Sequence, residues 1–564
     1  MPKSVSPVAD LRAALHALAG MIDGVAFELP GGAQSRRNEL CKEASWGINE
    51  YLLPRLGDLD APLVAVLIGS TGSGKSTLLN SIARQQVSIP GVVRPTTTMP
   101  IVWAHERHAV RYGDDFLAGY GSDGLPIDLE IGTEQILDGL TLIDAPDFDS
   151  VVEGHRQMAD DLLAVADVVV FVTSAQRYAD AVPWEFLDKA RSRAVPILFV
   201  VNRIPTGSAD LILDYRRLLG DKGFTLDQRF FEIAEQAIES AIGALPVSAV
   251  ADLRARLNAM ADTSGRSAVL EASIRGAIEE LSRRTAELEG AVLNEEQEAE
   301  ALRSVANETY ERQIAEVSRS LASGELIRGE VLQRWQAFVG TGELIKAVGA
   351  GLSRLSAWTR RVLGGAEAGA KMRKDARSEL RDVLVRRADL AASATAAAWE
   401  LDPAGSELLS NRSLWRHADE TEERADQAIE DWLIGLSELI EGAGESKKRT
   451  AQVASYGVNG LAIAVILGVF LQTGGLTGTE MGVAAGAAAA QQKILEHLFG
   501  SAAARSLIET ARSRLEMIAC GVLQEDGSRF GGIIDERIRA LPESGQLRSA
   551  FSRVSDLTEA WNGV

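Results

Sequence analysis

Residues 64–83 read VAVLIGSTGSGKSTLLNSIA: an apolar, β-branched run, a loop of Gly, Ser and Thr, one Lys, then a helical pattern. Positions 69–76, G-S-T-G-S-G-K-S, match G-x-x-x-x-G-K-[ST] in full, and this pattern needs a strand before it and a helix after it. Its glycines let backbone N–H groups turn toward phosphate oxygens, and the helix start directs its positive end at the same anion. Gly69, Ser70, Thr71, Gly72, Ser73, Gly74, Lys75, Ser76 and Thr77 are the candidate phosphate-binding residues. Lys75 is the candidate for reaching the β and γ oxygens, and the Ser76 hydroxyl for Mg²⁺.

A phosphate loop of this kind requires an α/β frame, and the chain supplies one. The runs LVAVLIG, LTLIDAP, DVVVFVT, PILFVVN and ALPVSA are short, β-branched and separated by helical patterns. That alternation predicts a doubly wound, mostly parallel sheet over 61–260. Apolar spacing of three and four predicts two helices earlier, at 6–28 and 36–57, so 1–60 is expected to pack on the sheet domain or on a stalk. From about residue 266 β-branched runs vanish and charged amphipathic helices take over, which predicts an all-α bundle or stalk over 261–446. A hydrophobic membrane-associating hairpin at 447–500 and amphipathic helices returning to the stalk at 501–564 complete the expected order.

At 564 residues the chain has room for several domains. A formal net charge of −21 argues against a general nucleic-acid binder, which needs clustered Lys and Arg. Cys41 and Cys520 stand far apart with no metal-ligand spacing, as expected of free thiols in a reducing cytosol. Asp10 and Arg12 interrupt the first apolar stretch, so a cytoplasmic start is expected.

Downstream spacing narrows the nucleotide. Asp144 ends the apolar run LTLID sixty-nine positions after Lys75, where GTPases carry the Asp of D-x-x-G that holds Mg²⁺ through water. The last position of that element is Asp147 here and not Gly. Thr97 and Thr98, in GVVRPTTTMP, fit the switch threonine that closes on the metal, so Ser76, Thr98 and Asp144 form the candidate Mg²⁺ set. FVVNRIP places Asn202 and Arg203 at the start of an N-K-x-D-like element that has no Asp, and Ser248 and Ala249 stand at the S-A-K position. GTP is the expected ligand, and the missing Asp leaves ATP open.

The phosphate loop, RPTTT, LIDAPD, VVNR and PVSA together resemble the bacterial dynamin-like GTPases, within the wider Era, septin and dynamin type of P-loop GTPases. The motifs cover about 62–257; the helical remainder is similar in architecture only. The resemblance implies GTP hydrolysis coupled to self-association through the G domains and to membrane binding or remodelling, on the inner face of the cell membrane, with a paralogous partner GTPase as a further candidate. Gly72 stands where dynamins have Ser and where K⁺-using relatives have Asn, so neither catalytic device carries over. No Gln follows DAPD, which leaves a backbone group of Thr97 or Thr98 to position the attacking water, with Lys75 and Asp144 beside it. The alternatives are a soluble Era-like switch with a protein or ribosomal partner, and an ATP-using NTPase.

Two stretches bear on lipid. Residues 450–479 lack Asp, Glu, Lys and Arg, and the core 453–471 would make a helix of about 28 Å, close to the hydrocarbon thickness of a bilayer. It is expected either to dip into a membrane as a hairpin or to be buried in the bundle. Residues 346–387 carry eleven basic and four acidic side chains, beginning with a stripe of Leu344, Val348, Leu352, Leu355, Trp358 and Val362. Such a stretch suits anionic lipid, and it equally suits packing on acidic helices near NEEQEAEAL.

Overall fold

The computed structural model describes residues 7–31, 33–89, 99–112, 127–146, 153–177, 182–193, 195–239, 241–323, 366–409 and 412–442. It also describes positions 462, 465, 466, 468, 469, 495, 496 and 499, and residues 500–561. The chain divides into two compact units. The first comprises 1–27, 35–293 and 540–564, and the second 28–34 and 294–539.

The first unit opens with α1 (Pro7–Asp23) and α2 (Gln34–Trp46), followed by a π-helical stretch Gly47–Leu52 and α3 (Leu53–Gly57). Leu11, Ala14, Leu15, Leu18, Ala19 and Ile22 recur at three and four along α1 and are all buried, as one apolar stripe of a helix requires. The sheet and its crossovers follow: β1 (Leu63–Ile68), α4 (Lys75–Ala83), β2 (Ile101–His105), β3 (Asp128–Gly132), β4 (Leu140–Asp144), α5 (Glu153–Val165), β5 (Val168–Ser174), α6 (Val182–Ser192), β6 (Ile197–Ile204), α7 (Ala209–Asp221) and β7 (Phe230–Ala234). The spatial order is β3-β2-β4-β1-β5-β6-β7, parallel except where β2 meets β4. Every residue of β1 is buried, the pattern of a central strand covered on both faces.

The expected mostly parallel α/β domain is therefore present, with one strand placed differently. The run ALPVSA forms no strand; Val247–Val250 is a 3₁₀ turn. Pro246 has no N–H for a ladder, and the edge position beside β6 is filled by Phe230–Ala234. β2, β3 and β7 were not foreseen: IVWAH and DLEIG are short, and FFEIA alternates weakly beside charged residues.

Asp167, just before β5, ties the early helices to the sheet. It is buried and accepts from the Tyr51 hydroxyl at 2.9 Å, from Val64 N at 2.7 Å and from the Arg55 guanidinium. A buried carboxylate is tolerable only with such partners.

After β7 come α8 (Ala251–Ala261) and α9 (Thr263–Ser323), a single helix of 61 residues of which 263–293 lie in the first unit and 294–323 in the second. The second unit continues with α10 (Ala366–Trp399), α11 (Pro403–Leu408), α12 (Thr421–Gly442) and α13 (Ser501–Ile538). Its core is anchored by Trp399, whose indole N–H donates to Leu302 O at 3.1 Å and whose ring stands edge-on to Phe530 at 5.2 Å. Buried Asp526 accepts from Tyr310, Thr421 and Ala418 at 2.5, 2.6 and 2.7 Å, joining three parts of the chain at one carboxylate. The last helix, α14 (Gln546–Ala560), packs on α1 in the first unit.

The described positions of the hydrophobic stretch are core positions. Ala462, Val465, Ile466 and Val469 share one helical face, are at most 4% exposed, and join the same cluster as Leu495 and Phe499. Among the described residues no helix is long and apolar enough to cross a membrane. The rest of 450–479 and the stripe from Leu344 to Val362 lie outside the described residues. Within the described part of 346–387, Arg377 pairs with Asp426 and Glu430, Arg381 with Asp382 and Glu422, and Arg387 with Glu316 at 3.8 Å. These acids lie on α10 itself, on α12 and, for Glu316, on α9, and none of them belongs to the NEEQEAEAL run.

A candidate nucleotide site

The phosphate loop leaves the C-terminal end of β1 and enters α4, and backbone geometry explains its glycines. At Gly69 a Cβ would lie 2.0 Å from Val172 O on neighbouring β5, so only glycine lets the loop leave the sheet this close to it. Gly74 has φ +96°, and a Cβ there would lie 2.4 Å from Asn202 Nδ2. These two positions set the path of the loop.

Lys75 is buried at the first turn of α4, and its Nζ donates to Gly69 O at 2.8 Å, which folds the side chain back over the loop. Ser76 Oγ donates to Asp144 Oδ2 at 2.6 Å, bringing together a helix start and the end of β4. A hydroxyl and a carboxylate meeting at the loop are the hard oxygen donors that Mg²⁺ takes. The residues present therefore fit the ion. Ser70 and Ser73 are buried in the loop, Thr71 is half-buried, Gly72 is exposed, and Thr77 lies beneath on α4.

Asn202 and Arg203 come to the same loop from the opposite side. Asn202 is buried and donates from Nδ2 to Ser73 O at 2.9 Å, while its Oδ1 accepts from Arg203 N at 2.9 Å. Arg203 has φ +53°, and the β6–β7 register shifts between Val201 and Ile204. Such an irregularity re-aims side chains at a strand end. Left-handed backbone costs a residue with a Cβ about 1–2 kcal/mol. Arg203 Nε lies 4.0 Å from the Cβ position of Gly74, so the side chain runs beside the loop. Pro205 occupies the Asp position of the N-K-x-D pattern.

Ser248 and Ala249 lie in the 3₁₀ turn Val247–Val250, which packs against α4 and β7. The loop before this turn is fixed by α4: Ser81 Oγ accepts from Leu245 N at 2.7 Å, and Arg84 donates to Leu245 O at 2.9 Å. Lys75, Ser76, Asp144 and Asn202 are thus brought together around the loop. Thr97, Thr98 and Asp147 lie outside the described residues.

Sequence reasoning missed Asn80 and Ser88. Asn80 is fully buried on α4, and its amide contacts Val87 N, Ser88 N, Ser88 O and Ile242 O. The only signal was a polar residue among Leu78, Leu79 and Ile82 in a short helix. Ser88 Oγ donates to Asp144 Oδ2 at 3.0 Å, a contact that no local pattern announces.

The family model described as 50S ribosome-binding GTPase matches residues 64–203. A GTPase Der from Thermomicrobium roseum is 32% identical over 142 residues, which is 25% of this chain and 27% of that protein. A probable transmembrane GTPase, FZO-like and chloroplastic, from Arabidopsis thaliana is 23% identical over 173 residues, 30% of this chain and 17% of that protein. The chain thus spans about a quarter or less of the length of these relatives. Two solved chains of an oligomerised bacterial dynamin pair, reported as a mechanism for long-range sensing and tethering of membranes, superpose with TM-scores of 0.44 and 0.45 at 12% and 11% identity. They cover 99% of this chain and 95% of theirs, a likeness too loose to carry an argument. The strand–loop–helix geometry and the family match agree that residues 64–203 form a GTPase-type nucleotide domain.

Proposed function

We propose that this GTPase is dynamin-like: it binds and hydrolyses GTP with Mg²⁺, self-associates through its G domains, and couples that cycle to binding or remodelling of an anionic membrane at its cytosolic face. The observation that carries the reading is α9, one unbroken 61-residue helix that begins in the GTPase unit and continues into an all-α unit. A helix whose residues belong to both units gives a nucleotide-dependent change a continuous covalent route from one to the other. The plant relative's description as a transmembrane GTPase supports the membrane side.

In the nucleotide cycle, Lys75 neutralises phosphate oxygens, and the loop amides and the start of α4 orient them. Ser76 and Asp144 would hold Mg²⁺, which neutralises charge developing on the β and γ oxygens. Thr98 would complete that set, and Thr97 or Thr98 would position water. Asn202 fixes the wall of the base pocket, the Arg203 stem covers the base, and Ser248 and Ala249 border it.

Flotation on vesicles containing phosphatidylglycerol, with GTP, GDP or no nucleotide, tests the reading. Floating that changes with GTP and is lost in Lys75→Ala supports it. A folded chain that stays at the bottom in every condition overturns it. A second reading then stands, a soluble Era-like switch with a protein or ribosomal partner, which the burial of Ala462, Val465, Ile466 and Val469 favours.

A further inference from the structure

Asp144 Oδ2 carries two hydroxyl donors. One is Ser76, the expected metal-side serine, at 2.6 Å; the other is Ser88, at 3.0 Å, five residues beyond the end of α4. The Ser88 side chain belongs to a residue only 1% exposed, so water does not compete for that bond.

Asn80 holds Ser88 from both sides of its backbone. Asn80 Oδ1 accepts from Ser88 N and Val87 N, each at 2.9 Å, and Asn80 Nδ2 donates to Ser88 O at 2.7 Å. The same Nδ2 donates to Ile242 O at 3.1 Å, in the loop that leads to Ser248 and Ala249. All the bonding capacity that this amide uses is directed at two loops, one entering the switch segment and one bordering the base. A hydroxyl fixed by such a clamp has its direction set before an ion arrives.

We propose that Ser88 is a positioning residue for Mg²⁺ binding: it is a second donor that fixes the direction of the Asp144 carboxylate independently of the phosphate loop, and Asn80 holds Ser88 in place. A hydroxyl that ligates an ion through a lone pair keeps its O–H, so Ser76 can serve both the ion and Asp144, but its position follows the phosphate loop. Ser88 donates from a backbone tied to α4 and not to that loop, so its hold on Asp144 does not depend on the loop or the ion. The clamp also joins the base-side loop to the metal carboxylate through a single amide, so occupancy of the base pocket and order at Asp144 are linked. The proposal rests on reading Ser76 and Asp144 as the Mg²⁺ holders, and its test separates the two.

The full chain is loaded with a fluorescent GDP analogue, and nucleotide release is followed while free Mg²⁺ is varied with EDTA buffering. Ser88→Ala should raise the Mg²⁺ concentration that halves the release rate by roughly tenfold or more, the usual effect of removing a partner of a metal-binding group. Affinity for the analogue in excess EDTA should stay at the wild-type value, and Ser88→Thr, which keeps the hydroxyl, should restore the Mg²⁺ midpoint. Ser88→Cys, a weak donor of similar size, gives the same reading should the alanine variant not fold. A Ser88→Ala or Ser88→Cys protein with a lowered Tm and an unchanged Mg²⁺ midpoint overturns the proposal and leaves Ser88 a packing residue. A wild-type chain whose release ignores Mg²⁺ overturns the reading of Ser76 and Asp144, and the proposal with it.

Discussion

Ser76 and Asp144, sixty-eight residues apart, meet through a 2.6 Å hydrogen bond from the serine hydroxyl to the carboxylate. The bond joins the start of helix α4 to the end of strand β4 at the candidate nucleotide site. Parallel pairing of β1 with β4 puts Asp144 opposite Leu67, two residues before the loop that leads to Ser76.

Lys75 is the first test of that site. Lys75→Ala removes the only Lys of the loop and should lower GTP turnover by ~10²-fold or more, as loss of a charge-stabilising group does. Turnover at saturating GTP and nucleotide binding by titration check it. Wild-type kinetics in this variant would show that the phosphates sit elsewhere.

Gly69 should tolerate no side chain. Gly69→Ala drives a Cβ to 2.0 Å from Val172 O, a backbone atom of β5 that cannot move alone, and should cost roughly 1–3 kcal/mol or more. Gly20→Ala is the contrast: its Cβ would meet nothing within 4 Å, and alanine inside α1 should gain up to about 1 kcal/mol. Denaturant midpoints of the two variants should move in opposite directions.

Val465 and Ile466 decide whether their stretch is core or lipid-facing. Both are buried in the cluster that holds Leu495 and Phe499, so Val465→Asp or Ile466→Asp should destabilise the folded chain by ~3 kcal/mol or more. Thermal unfolding without lipid measures it. An unchanged Tm together with lost vesicle binding would place these side chains in the membrane instead.

Glu280 supplies a pH test. Burial alone would push its carboxyl up, but donors from Arg283 at 2.6 Å and Arg284 at 2.8 Å outweigh that and hold its pKa below the usual glutamate value. A depressed carboxylate stabilises the fold above the unfolded pKa of about 4.3, and that contribution is lost as pH falls through the folded value. The Tm gap between wild type and Glu280→Gln should therefore be full at pH 7 and close as the pH drops below ~4. A gap that persists unchanged in acid would show that the ion pairs contribute nothing.

Cys41 and Cys520 are both free, yet they should differ in reactivity. Burial pushes the Cys41 thiol up to about 11, with Asp23 adding to the effect, and the side chain is closed to solvent. Cys520 is partly exposed. One thiol should label quickly in the native chain and the second only on unfolding, which mass spectrometry of the labelled peptides resolves.

The sequence alone determined what is written in consecutive residues. The phosphate loop, its strand and helix, Asp144 at the end of LTLID and the long helix after residue 263 all follow from local order, because each is specified by neighbours a few positions away. Tertiary structure decided what depends on distant partners. Pro246 and the competing strand Phe230–Ala234 turned ALPVSA out of the sheet. Arg377, Arg381 and Arg387 read in sequence as part of a basic stretch, and only the fold sets Asp426, Glu430, Glu422 and Glu316 beside them. Val465 and Ile466 read from sequence as a membrane hairpin with burial in the bundle as the alternative, since apolar side chains leave water for either, and only the fold puts them in a core cluster with Leu495 and Phe499. Ser88 acquires a role only because Asn80 on one element and Asp144 on another converge on it, and a hydrogen bond across fifty-six residues leaves no mark in the local pattern.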